Sequence, residues 1–93
     1  MGKKIHRNCD DVRKTLKRFI KQTFLPRAGM TSFSESDSFL ESGIMDSTGI
    51  LELLEFIEDK FDIKVEDDEI IPDNLDSLAN LATFVSRKLT SAG

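Results

Sequence analysis

Entering its longest patterned segment, the chain reads Asp46-Ser47-Thr48-Gly49-Ile50-Leu51-Glu52-Leu53-Leu54-Glu55-Phe56-Ile57-Glu58-Asp59-Lys60-Phe61. Ile50, Leu54, Ile57 and Phe61 recur at intervals of three and four, the period of one helical face, and Leu51 and Leu53 widen that stripe. Glu52, Glu55, Glu58 and Asp59 give the helix a strongly acidic outer side. The spacing predicts a helix over residues 47–60 with Asp46 as its N-cap, because a short carboxylate there accepts a first-turn amide. Like charges three and four residues apart weaken an isolated helix, so this one needs tertiary packing to persist.

Toward the C-terminus, Phe61, Ile63 and Val65 alternate with Asp62 and Lys64 as a strand would. No second strand pattern exists to pair with it, so an extended connector is expected instead. Residues 66–71 are expected to form a short helical turn closed by Pro72. A last helix is expected over about 76–89, with Leu78, Leu81, Ala82, Val85 and Leu89 facing inward and Arg87 and Lys88 at its negative end.

Toward the N-terminus, Val12, Leu16, Phe19, Ile20 and Phe24 mark a helix over about 10–24. Asn8 or Cys9 precedes it, Asp10 and Asp11 sit in its first turn, and Pro26 follows its end. Arg13, Lys14, Lys17, Arg18 and Lys21 read as a solvated basic face. Residues 25–46 form a long Ser- and Gly-rich connection, which requires a function or internal packing; Met30, Phe33, Phe39, Leu40 and Ile44 can supply the packing. A helical turn is expected near 38–41, stopped by Gly43. The fold class is therefore all-α, a small four-helix bundle of three main helices and one short one, with a long loop between the first two main helices. A single domain is expected over 1–93, with an ordered core of about 10–89 and flexible tails at 1–8 and 90–93.

Ninety-three residues, 39% hydrophobic and 32% charged, suit a modest core and favour a carrier, adaptor or inhibitor over an enzyme with a deep cleft. Residues 1–30 hold nine Lys or Arg and two Asp, a charge of +7; residues 31–93 hold four and fifteen, a charge of −11, which together give the net −4. The acidic part repels nucleic acid and anionic membrane and attracts basic protein surfaces. The basic start lacks the interleaved aromatics of a nucleic-acid-binding segment. Cys9 stands alone, which excludes an internal disulfide and a multi-cysteine zinc site and fits a reducing, cytoplasmic setting. No apolar run reaches the length of a membrane span, and the start lacks a secretion-signal pattern; His6 replaces the Ser or Thr of a myristoylation signal. His6 is expected to be solvent-exposed, and Cys9 a capping or half-buried residue. Glu66, Asp67, Asp68 and Glu69 lack the alternating ligands and central Gly of a calcium loop, so no metal site is assigned.

The dipeptide Asp-Ser occurs at Asp37-Ser38, Asp46-Ser47 and Asp76-Ser77. Each suits a helix start. Only Asp46-Ser47 follows Gly43-Ile44-Met45 and leads into a long amphipathic helix with an acidic side. Together with Leu51-Glu52-Leu53-Leu54-Glu55, with Glu58-Asp59-Lys60-Phe61-Asp62-Ile63-Lys64-Val65 and with Asp73-Asn74-Leu75-Asp76-Ser77-Leu78, this segment resembles the acyl carrier protein family over about residues 10–89.

The resemblance implies that Ser47 receives a covalent 4′-phosphopantetheine arm from coenzyme A through a phosphopantetheinyl transferase, with Asp46 capping the helix and supporting modification. It implies a carrier without catalytic residues, consistent with one Cys, one His and no nucleophile–base arrangement. It implies partner docking through Thr48, Leu51, Glu52, Glu55, Glu58 and Asp59 onto basic patches of synthases, transferases and acyl- or aminoacyl-loading ligases. It also places a pocket for cargo between the second and third main helices, with Leu54, Ile57, Phe61, Ile70 and Leu75 as candidate lining. A monomer suits such a shuttle. Thr48 stands where many family members have Leu, and Asp46-Ser47-Thr48-Gly49 looks more like carriers charged by adenylate-forming ligases. Three functions stay open: an acyl carrier of fatty-acid or polyketide assembly, an aminoacyl or D-alanyl carrier, and an unmodified acidic helical adaptor.

Overall fold

Helix-forming stripes fix the frame of this computed structural model, which describes residues 9–92 and their side chains from 10 to 90. In chain order the elements are α1 (Cys9–Thr23), α2 (Leu25–Ala28), α3 (Phe39–Ser42), α4 (Ser47–Phe61), a 3₁₀ turn (Asp67–Glu69), α5 (Pro72–Leu75) and α6 (Leu78–Ala92). The three long helices are 15 residues each, and no strand occurs among the described residues. His6, the expected tail 1–8 and Gly93 of the expected tail 90–93 lie outside them, as does the side chain of Cys9, whereas residues 90–92 belong to α6.

Val12, Leu16 and Ile20 repeat every four residues on α1 and are fully buried, mainly against α6, whose Leu78, Leu81 and Val85 are fully buried too. Leu53 and Ile57 bring α4 into the same core. Phe19 of α1, half-buried, stacks on Phe56 of α4 with ring centroids 3.8 Å apart and planes 6° from parallel, a contact worth about 1 kcal/mol beyond its buried area.

Both prolines open short helices where the sequence reading used them as stops. A proline lacks an N–H that the first helical turn does not need, and its fixed φ suits that turn. Pro26 thus sits in the first turn of α2, which Gly29 closes at φ +72°, and Pro72 opens α5. The turn expected over 66–71 is correspondingly shorter, covering Asp67–Glu69. The last helix begins at Leu78, two residues later than expected, because Ser77 is its cap: the Ser77 Oγ accepts the Asn80 N–H at 3.1 Å.

The long connection is held by its own apolar groups and by α6. Phe39 and Ile44 are buried, as is Met45, while Met30 and Phe33 pack against the core. Leu40, expected among them, is 46% exposed. Ser38 caps α3 by accepting the Glu41 N–H, and Gly43 closes it at φ +82°. Asp76 latches this loop to the α5–α6 junction, its carbonyl accepting the Phe39 N–H at 2.9 Å and its carboxylate the Leu40 N–H at 3.1 Å and the Ser38 hydroxyl. On α4 the inner face is Leu53, Leu54, Ile57 and Phe61; Ile50 is half-buried and Leu51 is 58% exposed, because they turn toward the open end near α5.

Candidate functional site

The three Asp-Ser serines part company in the structure. Ser38 is part-buried and bonded to both Glu41 and Asp76, and Ser77 is 6% exposed and spent on its cap. Ser47 is exposed in the first turn of α4, and its hydroxyl takes no hydrogen-bond partner among the described residues. Asp46 leaves it free, since the Asp46 Oδ1 itself accepts the Gly49 N–H at 2.9 Å. The amides of Ser47 and Thr48 precede the first bond of the helical ladder, Ile50 N–H to Asp46 O at 3.0 Å. Ser47 Oγ therefore stands at the positive end of a full-length helix, where a phosphate is favoured.

Gly49 explains how this turn is held. A Cβ built there meets the Met45 Cβ at 2.7 Å and the Phe24 ring at 3.1 Å, so the absence of a side chain lets α4 begin pressed against the end of α1 and the loop. Glycine is a poor helix former, so this close packing, not propensity, accounts for its place in the first turn.

Beside Ser47 lies a cleft of about 320 Å³ between α4 and α5, walled by Leu40, Ile50, Leu51, Ile70, Ile71 and Leu75, with Pro72 and Asp76 at its edge. The four large hydrophobic side chains that are exposed among the described residues, Leu40, Leu51, Ile70 and Ile71, all line it. Isolated exposed apolar residues are ordinary, whereas a cluster of them marks a site. Of the five candidate pocket residues, Ile70 and Leu75 reach this cleft. Leu54, Ile57 and Phe61 do not; they are buried in the core because they occupy the inward stripe of α4. Leu40, Ile50, Ile71 and Pro72 were missed, although the apolar run Ile70-Ile71-Pro72 outside any periodic segment was a usable signal.

The cleft's far wall is anchored. Glu69 Oε1 accepts the Glu66 N–H at 2.9 Å in a reciprocal capping box and also takes the Lys88 ammonium at 2.9 Å. The Glu66 amide, followed by Lys88, holds the Glu69 carboxyl below its ordinary range. Asn74 Nδ2 adds a bond to the Glu69 carbonyl, so the segment bearing Ile70 and Ile71 is tied to both α5 and α6.

A second depression, about 490 Å³, lies on the other side of Ser47 and includes Arg27, Gly43, Met45 and Asp46. Arg27 lies over the Phe24 ring and bonds both Glu52 carboxylate oxygens, at 3.1 and 3.3 Å. Glu58 is also committed, accepting the Val65 N–H at 2.9 Å where the chain leaves α4. Of the four acidic residues on α4, Glu55 and Asp59 are the exposed pair without a partner among the described residues, and Thr48 is exposed beside Ser47. The described residues contain no cluster of potential metal ligands and no helix long and apolar enough to cross a membrane.

A search of curated proteins finds no significant match to the chain. A family model does match, that of the phosphopantetheine attachment site, over residues 18–85, which spans from the second half of α1 to the middle of α6 and encloses Ser47 and its cleft. Domains of this kind carry 4′-phosphopantetheine covalently, are non-catalytic, and work with a phosphopantetheinyl transferase and biosynthetic enzymes. On that match, and on the all-α bundle that carries it, the chain belongs to the phosphopantetheine attachment site family and is a phosphopantetheine-carrying carrier protein.

Proposed function

We propose that Ser47 is the attachment residue and that the chain presents acyl intermediates as thioesters to the enzymes of a biosynthetic pathway. One observation carries the assignment: among the serines of the Asp-Ser pairs, Ser47 alone offers an exposed, unbonded hydroxyl at the start of a long helix. The site's residues fit the arm. First-turn amides and the helix dipole favour the phosphodiester, and the apolar cleft offers a surface for what hangs from it. In the attachment reaction Ser47 Oγ bonds to the pantetheine-bearing phosphorus of coenzyme A, its proton passes to a base on the transferase, and adenosine 3′,5′-bisphosphate leaves. The attached arm supplies a thiol whose thioesters are activated because thiolate leaves readily. Asp46 keeps the turn in shape without occupying the serine. Docking to basic partner surfaces runs through Thr48, Leu51, Glu55 and Asp59; Glu52 contributes when Arg27 releases it.

A specific observation favours a second cargo class, a small aminoacyl group supplied by a separate ligase. Leu54, Ile57 and Phe61 already fill the interior beside α4, so a long chain must displace them whereas a small group rests in the cleft. Amide shifts at these three residues on loading an octanoyl chain, absent on loading an alanyl group, would identify the interior as an acyl pocket; unchanged shifts with both would leave cargo in the cleft.

Incubation with coenzyme A and a broad-specificity transferase is expected to add one phosphopantetheine by intact mass, and Ser47→Ala to abolish the gain. An unmodified wild-type chain would instead leave an acidic helical adaptor.

A further inference from the structure

We propose that the outward face of α1 is a second docking surface, for an acidic helix on a partner protein, separate from the acidic side of α4. Lys14, Lys17, Arg18 and Lys21 are spaced three and four apart, which sets them on one face of α1, turned away from the buried Val12, Leu16 and Ile20. The four cations extend over about 10 Å of helix at 1.5 Å per residue and border one shallow depression with Gln22. None makes an ion pair among the described residues. Their neighbour shows the contrast: Arg13, one position around the helix, is paired with Asp10 at 3.0 Å and Glu35 at 3.5 Å. A chain with 17 Asp and Glu therefore compensates the flank of α1 and leaves its outer stripe bare, although like charges at these spacings weaken a helix.

Charge complementarity selects the occupant. A bilayer or a long duplex spreads its phosphates beyond the stripe, toward a remainder in which residues 31–93 carry −11. A helix with carboxylates three and four apart matches the stripe charge for charge and keeps clear of the acidic remainder. A carrier built this way can be held by one partner through α1 while Ser47 and α4 stay available to another.

The test uses the full chain, with Ser47→Ala as background so that its result is independent of arm attachment. The probe is an Ala-rich helical peptide with Glu at spacings of three and four, titrated at low ionic strength. K14E/R18E is expected to weaken binding tenfold or more, and K60E/K64E, with the same change in net charge, less than twofold. K14Q/R18Q, which relieves repulsion within α1, keeps the test valid should the reversal disturb folding, and circular dichroism reports that. Absent peptide binding, or equal losses in the two reversals, overturns the proposal. So does tighter binding to phosphatidylglycerol vesicles or to a duplex oligonucleotide, or self-association in sedimentation that K14E/R18E abolishes, which would assign the stripe to a second copy.

Discussion

Asp46-Ser47 opens α4 and Asp76-Ser77 opens α6, and both helices run 15 residues, yet their caps are set one residue apart. At the first junction the aspartate caps, leaving the serine in the first turn with nothing to bond. At the second the serine caps, and the aspartate swings across to hold Ser38 and Leu40. Capping register, not the dipeptide, decides which hydroxyl is left exposed and unbonded. The buried junction stabilises the fold; the exposed one is free for chemistry.

The widest expected gap between the junctions is in modification. Ser77→Ala and Ser38→Ala are expected to take up the arm as fully as wild type, whereas Ser47→Ala takes none; uptake lost in Ser77→Ala with the fold intact by circular dichroism would break the comparison. The next gap lies three residues past each cap. Gly49→Ala forces a Cβ onto Met45 and Phe24, an overpacking cost of about 1–3 kcal/mol against a propensity gain of up to about 1 kcal/mol, so a net loss of about 1–2 kcal/mol is expected in urea unfolding. Asn80→Ala, at the exposed equivalent on α6, is expected to stay within about 0.5 kcal/mol of wild type. Smaller again is the cap exchange. Asp46→Ala and Ser77→Ala should each lose about 1 kcal/mol, while Ser47→Ala, which removes no cap, should unfold at nearly the wild-type denaturant concentration.

The same contrast explains what the sequence made legible. α1, α4 and α6 announce themselves because 15 residues hold several turns of the apolar repeat, and Val12, Leu16, Ile20, Leu53, Leu81 and Val85 lie where that repeat puts them. α2 and α5 are barely one turn long, too short for any period, and a proline marks the start of a helix with the same letter that marks its end. Ser47 as the proposed attachment residue was legible from its motif. Its cleft was not, because Leu40, Leu51 and Ile70 come from separate segments gathered by the Asp76 latch and the Glu69 anchor. An amphipathic stripe names the residues that fill a core, which is why Leu54, Ile57 and Phe61 turned up there. Likewise, the partner of Glu52 is 25 residues away and that of Glu58 is a backbone amide seven residues on, and no local pattern contains either.

The smallest expected difference lies at the far ends of the two helices and depends on pH. α4 closes with Asp62 in the left-handed region and Glu58 on the Val65 amide, whereas the last turns of α6 are tied to the cleft wall through Lys88 and Glu69. The Glu69 carboxyl is lowered from an ordinary value of 4.5, first by the Glu66 amide and then by Lys88. A depressed carboxyl binds fewer protons folded than unfolded, so its stabilisation is complete above about pH 4.5 and is lost as pH falls through the folded value. Glu69→Gln keeps an acceptor for the amide but removes the charge facing Lys88. Subtracting its melting curves from those of wild type cancels the other carboxylates. The difference should be largest above pH 4.5 and shrink toward zero in acid, and it should be modest because the pair is partly solvated. Amide exchange at Glu66 and Ile70 should quicken in the variant at neutral pH, since the wall carrying Ile70 and Ile71 loses a tether to α6. A pH-independent difference would assign the anchoring to Asn74 and the backbone, and leave the cleft wall indifferent to charge.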